Sequence, residues 1–157
     1  MPSLPQMVSL RCGSVTFALP IAAVREIVMV PEITPVPETG RFVRGIINLR
    51  GRILPVLDLA PRLGLGTGPT PPDGRILVVE HDREHPIGLL VDDASEVLRV
   101  PDEAISPPPE LTSGGSSGAV RGVARLPDRL LLVLDLDKVL ADASAMLPPL
   151  PAELLAP

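Results

Sequence analysis

The run VRGIINLRGRILPVLDL, Val43 to Leu59, is written a second time as VRGVARLPDRLLLVLDL, Val120 to Leu136, at a constant offset of 77. Ten of the 17 positions are identical, among them Gly45/Gly122, Arg52/Arg129 and Asp58/Asp135. The likeness extends upstream. EIVMVPE (Glu26–Glu32) matches EVLRVPD (Glu96–Asp102) at an offset of 70, and ITPVPE (Ile33–Glu38) matches ISPPPE (Ile105–Glu110) at 72. The remaining shift is one loop, LTSGGSSGA (Leu111–Ala119) against TGRF (Thr39–Phe42). An internal repeat of this length makes the fold two copies of one unit.

Each copy reads as five short strands separated by turn residues. MVSLRCGSVTFALP is a hairpin about Gly13-Ser14, and VREIVMV is a third run ended by Pro31. FVRGIINL and RILPVLDL flank Arg50-Gly51 as a second hairpin. In copy two the runs are RILVVEH, PIGLLVD, SEVLRV, AVRGVARL and RLLLVLDL. Five short strands per copy point to an all-β fold of two small barrels with few short helices, and barrels remove exposed edges. The 21 Pro exclude a helical bundle, because an interior Pro costs a helix about 3 kcal/mol. Pro55 within a strand predicts a bulge or an edge position. Short helices are expected at Ile21–Ala23, Leu59–Leu63 and Leu136–Ala143, with Asp58 and Asp135 as N-caps.

Composition narrows the function. Nineteen acidic against 14 basic residues, a net charge of −5, carry no nucleic-acid footprint. With no Trp, no Tyr and two Phe, stacking on bases is nearly excluded. Cys12 has no partner for a disulfide and reads as a small buried hydrophobe in a reducing compartment. No signal peptide and no membrane span is legible, so a cytoplasmic protein without direct membrane insertion is expected.

The duplication is an internal control, since residues shared by both copies serve the fold first. Gly45 and Gly122 then mark a backbone constraint. Copy one alone carries Asn48-Leu49-Arg50-Gly51, where copy two has Arg125-Leu126-Pro127-Asp128. Arg50 is either a solvated turn residue or the partner of Glu26 beside an apolar groove. Strand alternation puts Val24, Glu26 and Val28 on one face. His81 and His85 fall in EHDREH, which reads as a turn, so no metal site is expected there. Gly64, Gly66 and Gly68 precede Pro69 rather than a helix, so they read as linker and not a phosphate loop. No nucleophile with a base and no cofactor motif is present, so no catalytic residues and no cofactors are expected.

The segments FALPIAAVREIV, ITPVPETGRFVRGIINLRGRILPVLDL, PIGLLVDDASEVLRV, ISPPPE and VRGVARLPDRLLLVLDLDKVL, in that order, resemble the CheW family of bacterial chemotaxis coupling proteins. The most specific phrase is G-x-x-N-L-R-G-x-(I/V)-x-P-V-(I/L)-D-L, here Gly45 through Leu59. The resemblance implies two intertwined SH3-like five-stranded β-barrels. Residues 1–147 would form the domain, the first barrel mainly 7–65 and the second mainly 75–143 with strand exchange open, and 148–157 a Pro-rich tail. It implies a non-enzymatic adaptor recruited to membrane-associated arrays, binding the cytoplasmic tip of methyl-accepting chemoreceptors and the regulatory domain of a CheA-type histidine kinase. Val24, Glu26, Arg50, Gly51, Ile76 and Val97 would line the receptor groove between the barrels. Kinase contacts would fall near Gly45 and Gly88, with a purely structural role equally open for Gly45. Arg75 opens the strand of Ile76 with a charge that departs from the family pattern. An adaptor of a related receptor–kinase pathway (pilus motility, development or gene regulation) is the alternative.

Overall fold

A computed structural model describes residues 6–37, 40, 42–70, 72–80, 86–107 and 118–140. His81, His85 and the tail 148–157 lie outside them. The strands are β1 (Gln6–Cys12), β2 (Val15–Pro20), β3 (Val24–Met29), β4 (Val43–Leu49), β5 (Arg52–Asp58), β6 (Arg75–Glu80), β7 (Pro86–Val91), β8 (Asp93–Arg99), β9 (Ile105–Ser106), β10 (Val120–Leu126) and β11 (Arg129–Leu134). A 3-10 turn covers Ile21–Ala23, and two four-residue helices are α1 (Leu59–Arg62) and α2 (Leu136–Val139).

Two sheets result, in the orders β8-β1-β2-β11-β10-β9 and β3-β6-β7-β5-β4. Aligning the repeats equates β1 with β6, β2 with β7, β3 with β8, β4 with β10 and β5 with β11. The two orders are then the same, except that each copy's first hairpin lies in the other copy's sheet. The β1–β2 hairpin joins β8, β10 and β11, while β6–β7 joins β3, β4 and β5. Neither sheet is therefore drawn from one half of the sequence. Each transplanted hairpin docks through a parallel pairing, β11 on β2 and β5 on β7.

The exchange explains why many strands lack clean alternation: both of their faces are buried. In β6, Ile76 and Val78 turn into a core with Ile47, Leu54, Val56 and Leu90 inside their own barrel. Leu77 and Val79 turn the other way, into a core shared by both barrels with Leu10, Phe17, Leu19, Leu57, Leu89 and Leu134. A third core, with Met7, Ala18, Leu131 and Val133, fills the other barrel. Arg62 of α1 donates from Nε to the carbonyl of Val139 (2.9 Å), its own counterpart at the 77-residue offset, and from Nη2 to that of Lys138 (2.7 Å). A buried guanidinium thus satisfies the open carbonyls at the end of α2.

One expectation needs correction and another holds in one of its two forms. Asp135 caps α2, accepting from Lys138 N–H at 3.3 Å, but Asp58 makes no cap hydrogen bond to α1. Its carboxylate is taken by Arg44 Nη1 at 2.8 Å and by Gly68 N–H at 3.3 Å. Both bonds fall on Oδ2, which turns the carboxylate toward Arg44 and Gly68 and leaves Oδ1 buried without a partner, whereas Arg121, which matches Arg44, is exposed and Asp135 Oδ1 accepts the cap bond. Pro55 is not at a bulge of β5 but does hold a local edge position. It falls one residue before the ladder to β7 begins at Val56, so its missing N–H loses no bond there.

Cys12 is buried in the shared core. Desolvation first, then the charges of Asp92 and Asp58, push its thiol up to about 12. At pH 8 that leaves a thiolate fraction of about one in ten thousand. Ellman's reagent should therefore titrate no thiol in the folded protein and one per chain in denaturant; rapid labelling of the folded state would contradict the burial.

Candidate functional site

The Arg50-Gly51 turn joins β4 to β5 in a constrained backbone conformation. Leu49 pairs with Arg52, leaving a two-residue loop. Both loop residues have positive φ, 52° at Arg50 and 88° at Gly51, which is the type I′ pattern whose twist matches a hairpin. Arg50 is the one non-glycine with positive φ among the described residues, a strain that persists where surrounding contacts enforce it. One such contact is visible: Asn48 Oδ1 accepts from Gly51 N–H at 2.9 Å. Copy two has Pro127-Asp128 here, and a proline ring forbids positive φ.

The turn aims Arg50 at β3. Its Nη2 lies 2.5 Å from Glu26 Oε2. The expected common face of Val24, Glu26 and Val28 is broken by a register shift at Arg25: Glu26 and Val28 pair with Val78 and Ile76, whereas Val24 pairs with Val79 and packs against the core shared by the barrels. The pair spans the gap between β3 and the β4–β5 hairpin, the two ends of the five-stranded sheet. Beside it lies a cleft of about 250 Å³ floored by Leu49, Leu54 and Val78.

The Arg50 hydrogen bond, opposed by some desolvation and aided by the charges of Arg50 and Arg25, holds the Glu26 carboxyl below the ordinary 4.5. A depressed carboxylate pKa means the pair is intact above pH 4.5 and is lost as pH falls through the lowered value. Carbon-detected NMR should therefore place the Glu26 midpoint below 4.5. Asn48→Ala, which removes a hydrogen bond worth about 1 kcal/mol, should loosen the turn and move that midpoint back up. An unmoved midpoint would mean that the turn does not position Arg50.

The remaining expected residues are distributed unevenly. Gly51 is exposed at the tip of the turn. Val97 stands 52% exposed on β8, in the other sheet, and its repeat counterpart Ile27 is exposed on β3. Ile76 is 0% exposed, opposite Val28 and beneath the groove face, so it offers no surface. Its neighbour Arg75 is half-buried and turns back to the Gly74 carbonyl at 2.7 Å. Gly88 is also buried, and a Cβ there would lie 2.9 Å from Ile76 Cγ2. Gly45 is buried where the chain at Thr34 crosses β4. Thr34 and Ile46 exchange both backbone hydrogen bonds at 2.9 Å, directly over it.

A corresponding latch exists in the other barrel with different wiring. Glu96, the counterpart of Glu26, pairs with Arg129 at 2.8 Å. Arg129 matches Arg52, not Arg50. Sequence comparison of the copies did not pick out this pair, although the shared arginine at that register was its signal. Among the described residues there is no group of three His, Cys, Asp or Glu arranged to hold a metal, and the His81/His85 pair lies outside them.

Comparison with known proteins places this geometry in a family. The profile of the CheW-like domain matches residues 6–144. The chain is 35% identical over 134 residues to the chemotaxis protein CheW of Rhizobium meliloti, covering 85% of this chain and 86% of that one. It is 35% identical over 99 residues to protein PilI of Pseudomonas aeruginosa, 63% of this chain and 55% of that protein. The crystal structure of the scaffolding protein TtCheW from Thermoanaerobacter tengcongensis superposes with a TM-score of 0.76 at 36% identity, covering 87% of each chain.

Proposed function

Since the chain belongs to the CheW family, we propose that it is a coupling adaptor that binds methyl-accepting chemoreceptors and a CheA-type histidine kinase and performs no chemistry of its own. The carrying observation is the Arg50–Glu26 pair, set by a strained turn at the mouth of a cleft with an apolar floor and a charged rim. Strain retained on an exposed turn suits recognition better than stability, since exposed ion pairs add little to the latter.

In this reading Val24, Glu26, Arg50, Gly51 and Val97 meet a receptor helix through its i, i+3, i+4 side chains. Ile76 acts from beneath, holding β3 in position. The kinase regulatory domain docks at the barrel ends near Gly45 and Gly88. Because both glycines are buried, the contact is with the surface they shape rather than with the glycines themselves. No helix among the described residues is long and apolar enough to cross a membrane, and recruitment to membrane-associated arrays would run through the receptor.

The test is co-sedimentation with receptor tip fragments and kinase, reading kinase autophosphorylation with and without this protein. Ternary complex formation with altered phosphorylation is expected. A chain that joins neither partner removes the reading. The likeness to PilI favours a second reading, adaptor of a related receptor–kinase pathway such as pilus motility; the receptor captured distinguishes the two.

A further inference from the structure

The cleft beside the Arg50–Glu26 pair carries more positive charge than its own carboxylates neutralise. Arg25, Arg50 and Arg52 all border it. Arg50 is taken by Glu26 at 2.5 Å and Arg25 by Glu80 at 2.6 Å. Arg52 is exposed and has no ion-pair partner among the described residues. The other repeat shows what an arginine at this register does when a carboxylate is within reach: Arg129 closes on Glu96 at 2.8 Å. In copy one Arg50 has taken the corresponding glutamate. Arg52 is left as an uncompensated cation at the rim of an apolar floor, on a chain whose net charge is −5.

We infer that Arg52 is a specificity-determining contact that reads a carboxylate on a docking helix, adjacent along that helix to an apolar side chain seated over Leu49, Leu54 and Val78. The inference rests on the receptor-binding reading and names the chemistry of its partner. Arginine suits the role, because its planar fork meets a carboxylate with two parallel hydrogen bonds. Apolar contact supplies affinity, and the charge selects the helix and its register. Arg50 stays with Glu26, so the two arginines divide the work of shaping the cleft and reading the partner.

The experiment measures binding of soluble cytoplasmic tip fragments of the host's methyl-accepting chemoreceptors to the full chain by calorimetry, at 50 mM and 500 mM salt. At low salt Arg52→Gln should weaken binding about threefold to tenfold and Arg52→Glu more than tenfold. Arg125→Glu, an equal charge change on the other sheet, should cost no more than about twofold. The Arg52 deficits should shrink at high salt, as screening removes the attraction. A glutamate-to-lysine change on the fragment should restore binding to Arg52→Glu. Circular dichroism checks that the variants fold, and the neutral Arg52→Gln carries the test if the charge reversal does not. Wild-type binding with Arg52→Gln and Arg52→Glu unaffected would overturn the inference alone. No wild-type binding to any fragment would overturn the receptor reading and this inference with it.

Discussion

Replacing Gly45 with alanine is expected to cost about 3 kcal/mol or more, from the combined price of a steric clash and an unfavourable backbone angle. The Cβ would collide with the Thr34 carbonyl oxygen and stand 2.8 Å from its carbon and 3.0 Å from Ile33 Cγ2. The φ of 146° lies in a region that side chains with a Cβ rarely adopt. Neither side can yield cheaply, because Thr34 and Ile46 are held together by two backbone hydrogen bonds at 2.9 Å. For a chain of this size the loss corresponds to a fall in Tm of about 10 °C. Gly122→Ala should cost less. Its backbone shows no positive φ, and the nearest atoms, Ile105 Cγ2 at 2.8 Å and Ser106 O at 2.9 Å, include one flexible side chain. Thermal and urea unfolding of the two variants checks the order. A Gly45→Ala protein melting with the wild type would remove the close-approach account. Kinase binding measured well below the new midpoint separates the two roles proposed for this glycine: a structural residue leaves the folded fraction fully competent, and a contact residue does not.

The second large effect concerns Glu26. Glu26→Arg places four arginines, residues 25, 26, 50 and 52, around one small cleft and removes the carboxylate that Arg50 is aimed at. Arg50 then loses its restraint and the apolar floor is covered by mutually repelling side chains. Receptor-fragment affinity should fall by more than about tenfold, while the fold survives, since Glu26 and Arg50 are at the surface and no core residue changes. Adding Arg50→Glu reverses the pair and should restore part of the binding. Restoration is partial because the reversed glutamate must reach from a positive-φ turn built for a longer side chain. Calorimetry on the two variants decides. Unchanged affinity in Glu26→Arg would separate the pair from recognition, and a double variant no better than the single would mean the residues do not act together.

Much of the fold was legible because the repeat supplies its own control. The shared Gly45 and Gly122 pointed to a backbone constraint, and in the structure each lies at a register shift where a crossing segment comes close. The Arg50-Gly51 hairpin was legible from turn chemistry, and the choice between a solvated and a paired Arg50 is settled by the 2.5 Å contact with Glu26. Asp58 and Asp135 were alike in sequence and unlike in role, because the difference lies in Arg44 and Arg121, each 14 residues upstream of its aspartate. Ile76 matched a groove position, yet its strand is buried on both faces, and alternation alone does not tell which face of such a strand meets solvent.

The amino-acid sequence determined the unit, its duplication, the strands, the turns and the family, because these depend on local propensity and on residues a few positions apart. Tertiary structure decided which hairpin pairs with which sheet, and therefore which positions are surface. β1–β2 and β6–β7 hold equivalent places in the two copies, and strand pattern alone does not say which sheet each hairpin joins. The choice is made by the short connections at Ile21–Ala23 and Asp92, which carry the chain from one sheet to the other, and by the core the barrels then share. That exchange buries Ile76 and Gly88 and leaves Glu26, Arg50 and Arg52 at the open seam of one barrel.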